Sequence, residues 1–182
     1  MVTVIIPTFN EEKKIEMMIN YINCMSVEKE IIVVNDCSKD RTEAILKSIS
    51  LCNLKVIHHA SRRGKGAAVR TGLENAVGKF IFVLDPKLNN IPSDFSKFTK
   101  SLDIPGIDIV LGSRFIKMSY VNRFLSSVFG IKLNDWFSLC QFIKKESFIR
   151  MLPELKNVSD SFEILTKASR KKMNIIEVFI DN

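Results

Sequence analysis

The alternation of two hydrophobic patterns along the chain constrains its fold more than any other feature. Short runs rich in β-branched residues alternate with longer amphipathic segments, a rhythm typical of βαβ units. The predicted strands are 2–6, 30–34, 54–58, 80–84, 108–112 and 175–180, with an extended stretch at 138–143, and the predicted helices are 11–24, 41–50, 66–77, 121–129 and 162–172. This order predicts an α/β fold with a mostly parallel sheet and helices on both faces.

Length and composition predict one cytosolic domain. The chain has 182 residues, 46% of them hydrophobic, and no linker, repeat or low-complexity segment divides it, so we expect a single domain over residues 1–182. No apolar run approaches the roughly 20 residues that a bilayer requires, and the first residues do not resemble a secretory signal. The four cysteines, at 24, 37, 52 and 140, lack the spacing of a metal site, which favours reduced thiols.

A net charge of +7 predicts anionic partners. Basic residues cluster at 62, 63 and 65 and again at 170–172, although such clusters are more often solvated faces than binding sites. No RNA-binding or helix-turn-helix pattern accompanies them, so we do not expect nucleic acid as a partner.

Polar residues crowd the turns that follow the first two predicted strands. The segments "PTFNEE" and "VNDCSKDRT" stand at the carboxyl ends of those strands, where open α/β sheets bind ligands. Helix capping explains part of the pattern, with Asn10 capping the first helix and Ser38 or Asp40 the second. It does not explain the number of polar residues, and we therefore expect a nucleotide-binding crevice.

Six segments in order and spacing resemble the family 2 glycosyltransferases with the GT-A fold, especially the dolichyl- and polyprenyl-phosphate sugar synthases. They are "VTVIIPTFNEE", "IIVVNDCSKDRT", "GKGAAVRTGLENAVGKFIFVLD", "DIVLGSRF", "NDWFSLCQFIKKESF" and "FEILTKASRKKMNIIEVFI". The resemblance implies transfer of a sugar from a GDP- or UDP-linked donor to a polyprenyl or dolichyl phosphate. It also implies a peripheral location at the cytosolic face of a membrane, reached through basic patches or a small membrane-anchoring subunit.

The resemblance also implies the residues that bind the nucleotide. By position, Pro7, Phe9, Glu11 and Val34 border the nucleoside, and Asp36 lies near its base or ribose; the alternative is that Glu11 and Asp36 only cap helices. Relatives commonly have Asp at position 35 and Gly at 37, where this chain has Asn and Cys. Lys65 is at most a supporting charge, a solvated loop being the simpler interpretation. The histidines at 58 and 59 are expected to point to opposite faces of a strand.

The motif D-x-D, which in relatives holds Mg²⁺ or Mn²⁺ against the diphosphate, is altered to Asp85-Pro86-Lys87. A charged lysine has no lone pair for a metal, and Asp85 with Asn89 would make a weak site. Two hypotheses follow. Lys87 replaces the cation in a transferase, or Lys87 pairs with Asp85 in a noncatalytic nucleotide-sugar-binding or regulatory subunit.

By the same resemblance, Arg114 and Asp135 join Asp85 and Lys87 as catalytic residues. Arg114 would stabilise the departing diphosphate, with a surface salt bridge as the alternative. Asp135 would orient the acceptor or act as a base for a hydroxyl. An acceptor phosphate needs no base, because its second pKa of about 6 leaves it largely ionised at neutral pH. The apolar stripe of helix 120–129 suits either a core or a membrane surface, and the core is the commoner use.

Overall fold

The computed structural model describes residues 1–86, 96–114, 120–138, 140–155, 157–158 and 160–180. The chain divides into two compact units, Met1–Ile91 and Pro92–Asn182. The single domain expected over residues 1–182 therefore stays a prediction.

The first unit is a parallel α/β structure. Its elements are β1 (Val2–Thr8), α1 (Ile15–Asn23), β2 (Lys29–Asn35), α2 (Thr42–Ser48), β3 (Leu54–His58), α3 (Lys65–Asn75) and β4 (Phe80–Val83). The strand order is β3-β2-β1-β4, and each of these pairings is parallel. From β1 the chain continues outward to β2 and β3 on one side, and it then crosses to β4 on the other side of β1. The order of the strands therefore reverses at β1.

Strands β1 and β2 are apolar at nearly every position because both faces of the sheet are covered there. Every residue of β1 is buried, as is β2 from Ile31 onward, which is the pattern of a strand packed on both sides. Helix α3 packs on β1 and β2. Its Gly72 allows the close approach, since an added Cβ would lie 2.5 Å from Cγ2 of Ile5.

The first helix begins at Ile15 rather than at residue 11. The backbone amide of Glu11 donates to Thr42 at the start of α2, and that of Glu12 donates to Asp40; residues 12–14 form a turn ahead of the helix. The predicted capping of α1 by Asn10 is also wrong. Oδ1 of Asn10 accepts a hydrogen bond from the amide of Lys39 at 2.9 Å.

The second unit mixes strand directions. Its elements are α4 (Ser96–Leu102), β5 (Ile109–Arg114), α5 (Tyr120–Phe129), β6 (Cys140–Lys144), α6 (Lys145–Met151), a 3₁₀ helix (Leu152–Glu154), α7 (Ser161–Arg170) and β7 (Ile175–Ile180). Strand β5 pairs antiparallel with β6 and parallel with β7. The sequence did not predict α4, α6 or the 3₁₀ helix, because each is too short to show a helical period.

Helix α5 is only partly a core helix, which corrects the prediction from its apolar stripe. Leu125 and Phe129 pack against the buried cluster of this unit, whose members are Leu111, Leu133, Trp136 and Leu165. The exposed fractions of Tyr120 and Phe124 are 90% and 66%, and Val128 is also exposed. No helix within the described residues is both long and apolar enough to span a bilayer.

Candidate functional site

A cavity of about 180 Å³ opens in the first unit, where the order of the strands reverses. Such reversal points are the usual ligand sites of open α/β sheets. The lining residues come from the carboxyl ends of β1, β2 and β4 and from the start of α3; they are Pro7, Thr8, Phe9, Glu11, Asp36, Arg62, Gly64, Lys65, Ala68, Asp85 and Pro86. The structure thus brings Pro7, Phe9, Glu11, Asp36, Asp85 and Pro86 together around one space.

Hydrogen bonds join the turns after β1 and β2. The amide of Asn10 donates to Oγ of Ser38 at 3.0 Å, and the amide of Glu11 donates to Oγ1 of Thr42 at 2.9 Å. Asp40 accepts from the amide of Thr42, the first residue of α2, at 3.0 Å, as expected of a residue near the helix start. The two polar turns therefore hold each other at the edge of the cavity.

Asp36 is an anchor for the loop between β3 and α3. It is 3% exposed; its Oδ1 accepts from Nδ1 of His59 at 2.7 Å and from the amide of Arg63 at 2.9 Å, and its Oδ2 accepts from the amide of Gly64 at 2.7 Å. Burial by itself would raise the pKa of Asp36, but these hydrogen bonds outweigh it and hold the pKa below its usual range. The carboxylate is thus ionised and ties three donors together.

The sequence interpretation missed the role of His59. This side chain is buried and links Asp36 to α3, because its Nε2 lies 3.0 Å from Oγ1 of Thr71. His58 instead pairs with Asn35 on the neighbouring strand, its Nδ1 lying 3.1 Å from Nδ2. The signal available in the sequence was a histidine just past the end of the predicted strand 54–58; that this strand lies beside β2, which precedes Asp36, comes only from the structure.

Two cationic side chains line the cavity. The guanidinium carbon of Arg62 lies 4.1 Å from the ring centroid of Phe9, a cation–π distance. Nζ of Lys65 lies 2.7 Å from Oδ2 of Asp85. Lys65 therefore starts a helix and belongs to an ion pair, which corrects its interpretation as part of a solvated loop.

Several predicted site residues lie elsewhere. Val34 is buried in β2 and pairs with Pro7, and it does not line the cavity. Lys87 and Asn89 lie outside the described residues. Arg114 is the last residue of β5, and its side chain is also outside what the structure describes.

Asp135 lies in the second unit on a loop that β7 holds in place. Asp135 is 2% exposed, and its Oδ1 accepts from the amide of Phe137 at 3.2 Å. The two carboxylate oxygens of Glu177 accept from the amide and the side-chain nitrogen of Asn134, both at 2.8 Å. The sequence interpretation missed Glu177, an acidic residue in the otherwise apolar strand "IIEVFI".

The donor set around Asp85 is a poor fit for a divalent cation. Pro86 has no side-chain atom that can bind a metal, and position 87 is a lysine. Asp85 already contacts the ammonium group of Lys65. Within the residues that the structure describes, no group of three His, Cys, Asp or Glu side chains is placed to hold a metal. Mg²⁺ and Mn²⁺ prefer several oxygen ligands, which the described residues around Asp85 do not provide.

Comparison with known proteins identifies the family. The family model described as "Glycosyl transferase family 2" matches residues 3–152. The chain belongs to this family. It is 30% identical over 165 residues to a dolichol-phosphate mannosyltransferase of Pyrococcus furiosus, covering 87% of this chain and 43% of the relative. It is 29% identical to a polyprenol monophosphomannose synthase of Mycolicibacterium smegmatis, covering 62% of this chain and 46% of the relative. This family 2 chain thus spans about half the length of these curated relatives.

Solved structures confirm the predicted α/β GT-A fold. A mannosyltransferase from Pyrobaculum calidifontis, in complex with GDP-Man and Mn²⁺, superposes with a TM-score of 0.73 at 21% identity, covering all of this chain and 56% of that one. A glucosyl-3-phosphoglycerate synthase from Mycobacterium tuberculosis, in complex with UDP, gives a TM-score of 0.71 at 19% identity, covering 99% of this chain and 70% of the other. At such identities the likeness establishes the fold alone.

Proposed function

We propose that this chain is a glycosyltransferase that binds a GDP- or UDP-linked sugar and transfers the sugar to a polyprenyl or dolichyl phosphate. The observation that carries the proposal is the cavity at the reversal point of the sheet, which gathers Phe9, Glu11, Asp36 and Asp85 with the cations Arg62 and Lys65. An apolar ring, carboxylates and cations at one site match the three parts of a sugar nucleotide, namely base, ribose and diphosphate.

The nucleoside would lie against Phe9, with Glu11 as an acceptor for its hydroxyl or base donors. Asp36 would act mainly by holding the loop that carries Arg62, since its carboxylate already accepts three hydrogen bonds. Pro7 and Pro86 would shape the walls of the cavity. This assignment retains Pro7, Phe9, Glu11, Asp36 and Pro86 from the prediction. It leaves out Val34, which is buried in β2.

The chemistry requires alignment and charge stabilisation more than proton transfer. The oxygen of an acceptor phosphate is largely ionised at neutral pH, so it attacks the anomeric carbon while the bond to the nucleoside diphosphate breaks. Negative charge develops on that diphosphate and needs cationic neighbours. Arg114 and Lys87 are proposed to contribute here. Asp135 is proposed to orient the acceptor side through its loop rather than as a base.

An exposed apolar face on α5 supports an acceptor in a membrane. Tyr120, Val121, Phe124 and Val128 fall on one side of this helix and are exposed, and α5 contains no acidic residue while Arg123 flanks that face. Aromatic and aliphatic side chains beside a cation suit an interface with anionic lipid. We propose that the protein binds the cytosolic face of a membrane in this way, with basic patches or a small anchoring subunit as the alternative routes to the lipid.

A transfer assay tests the function. The full chain is incubated with vesicles containing dolichyl phosphate and with radiolabelled GDP-mannose or UDP-glucose, and label in the lipid phase is counted. We expect lipid-linked label with one donor and none when the phosphate is absent from the vesicles. Binding of the nucleotide sugar without transfer to any lipid phosphate would support the noncatalytic binding subunit instead.

A further inference from the structure

The ion pair between Lys65 and Asp85 lies in the lining of the cavity, where a bound diphosphate would need positive charge. We infer that Lys65, oriented by Asp85, is the cation that binds the diphosphate, and that nucleoside diphosphates bind this chain without a divalent metal. The inference rests on the proposed function, because it names how that same cavity recognises its donor.

The geometry fits a lysine better than a metal. Nζ of Lys65 lies 2.7 Å from Oδ2 of Asp85, and the side chains of Lys65 and Asp85 are 41% and 20% exposed. A divalent ion at Asp85 would have to displace this ammonium and then find its remaining oxygen ligands beside Pro86 and a lysine. Exchanging the contact of Asp85 with Lys65 for a divalent ion that has too few oxygen ligands is unfavourable. The Lys65–Asp85 pair therefore opposes metal binding at this carboxylate.

Lys65 is also placed to serve a second anion. An ammonium group has three N–H donors, and the bond to Asp85 uses one of them. Lys65 is the first residue of α3, and Asp36 already accepts from the amide of the N-cap Gly64, so the ammonium rather than the helix start would supply positive charge for the diphosphate. Asp85 fixes the long side chain toward the cavity and thereby reduces the entropy lost when a diphosphate binds.

The cavity lining holds the carboxylates of Glu11, Asp36 and Asp85 and the cations Arg62 and Lys65, so an anion would be held by contact with the two cations rather than by the total charge. The ionised carboxylate of Asp36 accepts hydrogen bonds from His59 and from two backbone amides, and Asp85 is paired with Lys65, so both carboxylates have partners of their own. Arg62 adds a second cation to the lining and is held against Phe9. A diphosphate between Arg62 and Lys65 would therefore meet two cations without a bound metal, which separates this chain from relatives with two aspartates in the motif.

Calorimetric titration tests the inference. UDP and GDP are titrated into the full chain in EDTA and, separately, in excess Mn²⁺. We expect one of them to bind with the same dissociation constant in both buffers. Lys65→Gln should weaken that binding in EDTA by about tenfold or more, the loss expected for one charge-assisted hydrogen bond, and Lys65→Arg should retain most of the affinity.

A matched control and a competing variant decide between the outcomes. Lys47 forms an ion pair of the same length, 2.7 Å, with Glu43 and does not line the cavity, so Lys47→Gln should bind like the wild type. Binding that requires Mn²⁺ would overturn the inference and leave the proposed function standing. The same holds if Lys65→Gln binds normally in EDTA while Lys87→Gln does not. Failure of both nucleotides to bind in either buffer would instead overturn the proposed function.

Discussion

Replacing Asp36 by asparagine should lower the stability of the folded protein, because Asp36 anchors the loop between β3 and α3 in addition to lining the cavity. The carboxylate accepts from His59 and from the amides of Arg63 and Gly64 in a site that is almost closed to water. Asparagine retains one acceptor oxygen, and its amide nitrogen would face a donor that Oδ2 now satisfies. The variant therefore loses the charge and at least one hydrogen bond.

The expected cost is about 2–4 kcal/mol, because a hydrogen bond to a charged group contributes roughly 1.5–3 kcal/mol and a buried donor without a partner costs more. In a protein of this size that corresponds to a fall in melting temperature of roughly 5–15 °C. Thermal unfolding followed by circular dichroism at pH 7 measures this.

Because folding lowers the pKa of Asp36, the contribution of Asp36 to the free energy of unfolding is present above the unfolded pKa and is lost as pH falls through the folded value. The difference between wild type and variant should therefore narrow below about pH 4.

Asp40→Asn is the matched control for this change. Asp40 is in the same turn and accepts from the amides of Thr42 and Glu12 at 3.0 and 3.2 Å, but it is half-buried and does not line the cavity. Its replacement should cost about 1 kcal/mol, as for a helix-start acceptor. The anchoring role of Asp36 is refuted if Asp36→Asn is as stable as Asp40→Asn and loses only nucleotide binding.

Three further predictions concern other parts of the chain. Phe124→Ser should reduce flotation of the protein with vesicles of phosphatidylcholine and phosphatidylserine, whereas Ile149→Ser, which alters an exposed apolar residue outside α5, should not; equal flotation of both would remove α5 as the contact. Cys37 has a φ of 61°, so Cys37→Gly should stabilise by about 0.5 kcal/mol, since relief of roughly 1–2 kcal/mol of left-handed strain exceeds the entropic cost of glycine; a lower unfolding midpoint would contradict this. Burial raises the pKa of the Cys140 thiol, so Cys140 should resist maleimide in the folded protein while the exposed Cys52 reacts, and rapid labelling of Cys140 would show that its site opens.

The pattern of hydrophobic residues was sufficient for the class of fold and for the edge of the sheet that carries the site. Runs such as "VTVIIPT" and "KEIIVVN" became buried parallel strands, because the period of a strand and its burial are properties of a local segment. Parallel strands end at a common edge, so the polar turns after β1 and β2 were expected to meet, and they line one cavity. The altered motif at Asp85 was likewise readable from the residue types alone.

Only the tertiary structure decided which partner each polar side chain takes. His59 contacts Asp36, Lys65 contacts Asp85 and Glu177 holds Asn134, and these pairs join residues 20 to 43 positions apart along the chain. A hydrogen bond forms only when its donor and acceptor are placed to within a few tenths of an ångström. That placement comes from the packing of whole elements, and it leaves no periodic trace in the sequence. For the same reason the apolar stripe of α5 could not be divided in advance into a buried side and an exposed side.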